Sequence, residues 1–90
     1  MERAEFEDGL RRDGFDEIVA AEMPANETRA EHAHDFDVRA MVLGGEITLT
    51  CGGAGRTYRE GDTFSMAAGT PHEEHVGAAG VRYLVGRKRR

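Results

Sequence analysis

The chain has 90 residues, a net charge of −5 and one cysteine. That length allows one small domain, the lone cysteine excludes an internal disulfide, and no apolar run approaches the roughly 20 residues needed to cross a bilayer. The acidic body argues against a nucleic-acid binder, which would present a basic face.

Taken in chain order, Glu2 to Asp13 reads as a short acidic helix, with Phe6 and Leu10 spaced i, i+4 on one stripe and Gly14 placed to end it. It is expected to pack outside a sheet or on a second subunit. From Phe15 onward the segments become short and punctuated by Gly, Pro or Asn. Strands are predicted at Phe15 to Met23, Ala30 to His34, Phe36 to Leu43, Glu46 to Cys51, Arg56 to Arg59, Thr63 to Met66, His72 to Val76 and Val81 to Val85. Gly44-Gly45 reads as a tight turn between the third and fourth, and Gly77 to Gly80 as the connection into the last. About eight closely spaced strands make an all-β sandwich or barrel. The expected organisation is one domain over 1–90: a helical segment at 1–14, a barrel at 15–86 and a basic tail at 87–90. Arg87-Lys88-Arg89-Arg90 reads as a solvated terminus.

The acidic, helix-like N-terminus does not resemble a signal peptide, and with one cysteine the expected compartment is the cytoplasm. Cys51, ending a strand, reads as a small buried hydrophobe. A fold this small leaves sheet edges exposed, and a homodimer covering them is expected.

All four histidines fall in two clusters, His32-Ala33-His34 and His72-Glu73-Glu74-His75. Side chains alternate faces along a strand, so His32 and His34 project together, roughly 6–7 Å apart by rise alone. Two such imidazoles converge on one divalent transition ion of the Fe, Mn, Ni, Cu or Zn type. A third ligand must come from elsewhere, and His72, with Gly69 and Pro71 before it, is the candidate. His75 falls on the opposite face from His72 and is read as a rim residue or an extra ligand. The second cluster has one residue too few for the zincin helix signature.

The segment His32 to Glu46 resembles the first cupin motif, with His-x-His at its start and Gly45 at its closing glycine. Gly61 to Val76 resembles the second, with Gly61, Gly69 and His72 on their expected positions. The resemblance runs over about residues 15 to 86. It implies a small jelly-roll barrel in which two histidines and a glutamate of the first motif and a histidine of the second hold a metal. Three positions depart from the pattern: Val38 stands where the glutamate is expected, Ala67 replaces a proline and Val76 an asparagine. What the resemblance leaves is a three-histidine site of His32, His34 and His72, as in the thiol and diketone-cleaving dioxygenases of that family. Asp37 is a candidate substitute carboxylate, but one residue out of register, so a bulge would be needed to aim it inward.

Unbroken alternation from the histidines places Val38, Ala40 and Val42 inward, joined by Phe64 and Met66, in a small apolar pocket. Tyr83 either offers a phenol there or belongs to a buried face with Val81 and Val85. Arg39 faces solvent. No nucleophile–base pair and no phosphate loop is visible. Three readings follow: a binding or sensing module that holds a metal and a small molecule, a metal-dependent dioxygenase or isomerase on a small organic substrate, and an unmetallated barrel kept for assembly.

Overall fold

A computed structural model describes residues 1–89. One helix, α1 (Arg3–Arg12), precedes six strands: β1 (Glu17–Met23), β2 (Thr28–His32), β3 (Phe36–Cys51), β4 (Ala54–Arg59), β5 (Thr63–Met66) and β6 (His72–Arg89). All pairings are antiparallel.

Two of the strands are long, and each serves two layers. The first half of β3 pairs with β5 and with the second half of β6, which pairs in turn with β1. The second half of β3 pairs with β4 and with the first half of β6, which pairs with β2. The result is a jelly-roll sandwich of two four-stranded layers that share two bent strands. Eight strands were expected and six are found among the described residues, because Gly44-Gly45 and Gly77 to Gly80 bend a strand between layers instead of reversing it. The register of β3 against β6 shifts between Val42 and Gly44 and again between Gly45 and Ile47, as at a bulge. There the two backbones touch: a Cβ on Gly45 would lie 1.9 Å from the Gly80 carbonyl oxygen, and both glycines have positive φ, 74° and 75°.

Between the layers, Val42, Ile47, Leu49, Val76, Val81 and Met23 form the main core, with Tyr58, Phe64, Met66 and Tyr83 packed on it. A second cluster lies outside the first layer. Phe6 and Leu10 of α1 pack on Phe15, Met41 and Leu84. Gly86 makes the approach possible, since a Cβ there would sit 2.7 Å from a Leu10 methyl. Arg39 lies on this outer face, half-exposed over the Phe15 ring at 4.5 Å and paired with Asp13 at 2.6 Å.

Three further expectations are corrected. Cys51 is exposed, because it closes the Gly52-Gly53 hairpin opposite Ala54 instead of pointing into the core. Val42 belongs to the main core and does not line the cavity described below. The basic run is not a frayed tail over 87–89: Arg87, Lys88 and Arg89 pair in register with Val38, Asp37 and Phe36. Arg87 and Arg89 lie over the Phe36 ring at 5.4 and 5.1 Å, and Glu17 faces both guanidinium groups. Arg90 falls outside the described residues.

Candidate metal centre

Strand β2 lies against the start of β6 with Thr28 opposite His75, Arg29 opposite Glu74 and His32 opposite His72. A register shift between Arg29 and His32 turns the end of β2 so that His32 faces His72 directly. His34 follows the strand. Its carbonyl accepts a hydrogen bond from the Gly69 amide at 2.8 Å, and its ring stacks on Phe36 at 4.8 Å with 19° between the planes. The three ring centroids are 4.4 Å (His32–His72), 5.1 Å (His32–His34) and 5.3 Å (His34–His72) apart. One nitrogen from each ring lies within 4.8 Å of the others. Among the described residues these histidines are the one group placed to share an ion.

The ring tautomers are set by the backbone. His32 Nδ1 stands 2.8 Å from the Ala30 carbonyl and His72 Nδ1 3.0 Å from the Thr70 carbonyl, each two residues earlier. A carbonyl only accepts, so each Nδ1 donates, and in the neutral ring Nε2 is left with its lone pair. His72 is 1% exposed and its Nε2 has no hydrogen-bond partner among the described residues. Buried polar atoms are rarely left so, and a nitrogen lone pair beside two other imidazoles fits a transition-metal ion. The donor set of this centre therefore fits the kind of metal that three imidazoles select.

Burial, together with the nearby His72 and His32 rings, holds the His34 pKa below the ordinary imidazole value of 6.5. The sign follows by linkage. The unfolded chain takes up a proton at higher pH than the folded one, so stability is full above the unfolded pKa and is lost as pH falls through the folded one. The Tm of the metal-free protein, followed in chelator from about pH 7.5 to about pH 5, is expected to fall, and to fall less in His34→Asn.

Beside the imidazoles lies a cavity of about 100 Å³. Val38, Ala40, Phe64, Met66 and Tyr83 line it, together with His34 and His72. Burial, and to a lesser degree the charge of Glu74, raises the Tyr83 pKa above its ordinary 10.0, so the phenol stays protonated. Sequence reasoning did not assign Arg29, Glu74 and Arg87 to this wall. Glu74 Oε2 is 3.2 Å from His32 Nε2, and its side chain is 14% exposed. The signal for Glu74 was present, since alternation from His72 puts residue 74 on the same face.

Asp37 and His75 do not join the cluster. Asp37 lies on the opposite face of β3, where its Oδ1 accepts a hydrogen bond from the Ala68 amide at 2.8 Å and ties down the turn before His72. His75 lies on the outer face of β6, with Nδ1 3.0 Å from Thr28 Oγ1. No helix is long and apolar enough to cross a membrane among the described residues.

Among solved structures the chain is similar to a protein of unknown function from Rhizobium leguminosarum bv. viciae, with 15% identity and a TM-score of 0.76 over 81% of this chain and 69% of that one. It is similar to KdgF from Halomonas sp., with 20% identity and a TM-score of 0.66 over 81% and 68%. It is also similar to Bacillus subtilis oxalate decarboxylase, which has Mn(II) centres, with 22% identity and a TM-score of 0.70 over 80% of this chain but only 20% of that one. These likenesses show the fold. The comparison with curated proteins gives no match. The cupin-domain family model matches residues 19–85, a stretch that takes in His32, His34, His72 and Glu74, and this chain belongs to the cupin family.

Proposed function

We propose that this chain is a metal-binding cupin module that holds one divalent transition ion on His32, His34 and His72 and a small organic anion beside it, in a binding or sensing role. The observation that carries the reading is the pair of fixed tautomers. Two Nδ1–H groups are committed to backbone carbonyls, and one of the freed Nε2 atoms is buried without a hydrogen-bond partner among the described residues. A bound ion would supply a Lewis-acid site.

The cavity supports the rest. A water's share of liquid volume is about 30 Å³, so about 100 Å³ admits a molecule of only a few heavy atoms. Arg29 and Arg87 bring positive charge to its wall, suited to a carboxylate, and Phe36, Val38 and Phe64 offer an apolar side. The homodimer and the cytoplasmic placement expected from the sequence remain part of this proposal.

A second reading, a metal-dependent dioxygenase or isomerase on a small organic substrate, is favoured by one observation. Tyr83, a protonated phenol, and Glu74, a carboxylate, line the same cavity, so a proton donor and an acceptor stand beside the centre.

Elemental analysis tests the metal assignment. The purified protein is expected to carry about one transition ion per chain, and His32→Ala/His34→Ala is expected to lose it. Full retention of the ion by that variant would reject the assignment.

A further inference from the structure

We infer that Glu74 supplies the carboxylate of the centre, moved from the strand of the first histidine pair to the strand of the last histidine. This deepens the metal-binding reading and rests on it.

The pattern that the first motif resembles places a carboxylate where this chain has Val38. Val38 is buried, 7% exposed, and forms part of the apolar wall. Glu74 reaches the same cavity from β6. It is two residues past His72, so the pleat that turns His72 inward turns Glu74 inward as well. Glu73 between them is exposed.

The contact between Glu74 and His32 points to a cation. His32 Nε2 presents a lone pair because Nδ1–H is committed to the Ala30 carbonyl. A carboxylate oxygen 3.2 Å away presents another. Two acceptors at that distance repel unless a positive charge lies between them, either a metal ion or a proton on His32. Nitrogen and oxygen ligands bind zinc-like ions at about 2.0–2.2 Å, so two of them side by side on one ion stand about 3–3.5 Å apart. The observed separation from His32 falls in that range, while Glu74 stands outside the 4.8 Å group that the three histidines form. Arg29 is the cross-strand neighbour of Glu74, yet its Nε is committed to Glu27 at 3.0 Å. Among the described residues, the one ion-pair partner of Glu74 is His32.

A carboxylate changes what the site selects. Three imidazoles suit zinc, copper, nickel and iron, and an added oxygen ligand shifts preference toward manganese. The test is calorimetric titration of Mn(II) and of Zn(II) into the metal-stripped full chain, its Glu74→Gln variant and His32→Ala/His34→Ala. Glu74→Gln keeps size and shape, and a matched urea midpoint in chelator checks that it folds. The expected result is a loss of about 10–100-fold in affinity, larger for Mn(II) than for Zn(II), with a changed Mn(II) resonance spectrum in what remains bound. Glu74→Ala is expected to repeat the loss.

Unchanged or tighter binding in Glu74→Gln, with binding abolished in the double-histidine variant, overturns the inference and leaves the three-histidine site standing. In that case Glu74 is only the counter-ion of a protonated His32. Absence of binding in the unmodified chain overturns both together.

Discussion

Gly45→Ala is expected to remove the cooperative fold altogether. The added Cβ would meet the Gly80 carbonyl oxygen at 1.9 Å, its carbon at 2.8 Å and Val81 Cα at 3.0 Å. All three are backbone atoms, so no side-chain rotation relieves the clash. The residue also sits at φ 74°, where a Cβ costs about 1–2 kcal/mol by itself. Separating β3 from β6 at the bend would break the register that joins the layers, a class of damage that exceeds about 4–5 kcal/mol. A domain of this size has about 5–10 kcal/mol in total. Urea unfolding followed by circular dichroism is expected to show no transition for Gly45→Ala. Gly52→Ala is the control. It also has positive φ, 57°, but nothing lies within 4 Å of its Cβ position, so it should cost only about 1–2 kcal/mol, that of the backbone conformation itself. A near-normal midpoint in Gly45→Ala would mean that the two strands do not cross as described.

The same glycine shows where reading the sequence stops. Positive φ is needed both in a hairpin turn and in a bulge that bends one strand, and the residue type is the same for either. Only Gly80, thirty-five positions away and across the interface, makes Gly45 a bend. The all-β sandwich or barrel was legible because glycine punctuation and strand alternation are local properties, and the jelly-roll layout was what the resemblance of the two histidine motifs implied. The strand count was not, because whether a chain reverses or bends depends on its distant partner. Arg87 to Arg89 were read as a tail for their charge, while their place in β6 depends on Phe36 and Glu17 across the sheet. Glu74 was missed for a different reason. The missing carboxylate was sought only on the strand of the first motif, although the alternation that selected His72 applies two residues further along. The meeting of His32 with His72 is a register fact, set by the shift between Arg29 and His32, and no local pattern carries it.

His72→Leu is expected to separate stability from metal binding. In the metal-free protein His72 Nε2 is a buried lone pair without a hydrogen-bond partner among the described residues, which costs about 1–3 kcal/mol. Leucine is of similar size and removes that cost. It gives up the hydrogen bond to the Thr70 carbonyl, worth about 1 kcal/mol. The balance leaves the variant as stable as the unmodified chain in chelator, or more stable by about 1–2 kcal/mol. Each kcal/mol moves Tm by about 4–8 °C in a domain of this length. Metal reverses the order. A ligand present at about 100 times its Kd adds about 2.7 kcal/mol, so the unmodified chain should gain about 10–20 °C while His72→Leu gains nothing. Differential scanning with and without added Zn(II) gives both halves in one experiment. If the unmodified chain gains nothing from metal and His72→Leu melts well below it in chelator, His72 is a packing residue and its nitrogen is not a ligand. The expected crossing of the two curves means instead that the core gives up stability at His72 to keep a lone pair aimed at the ion.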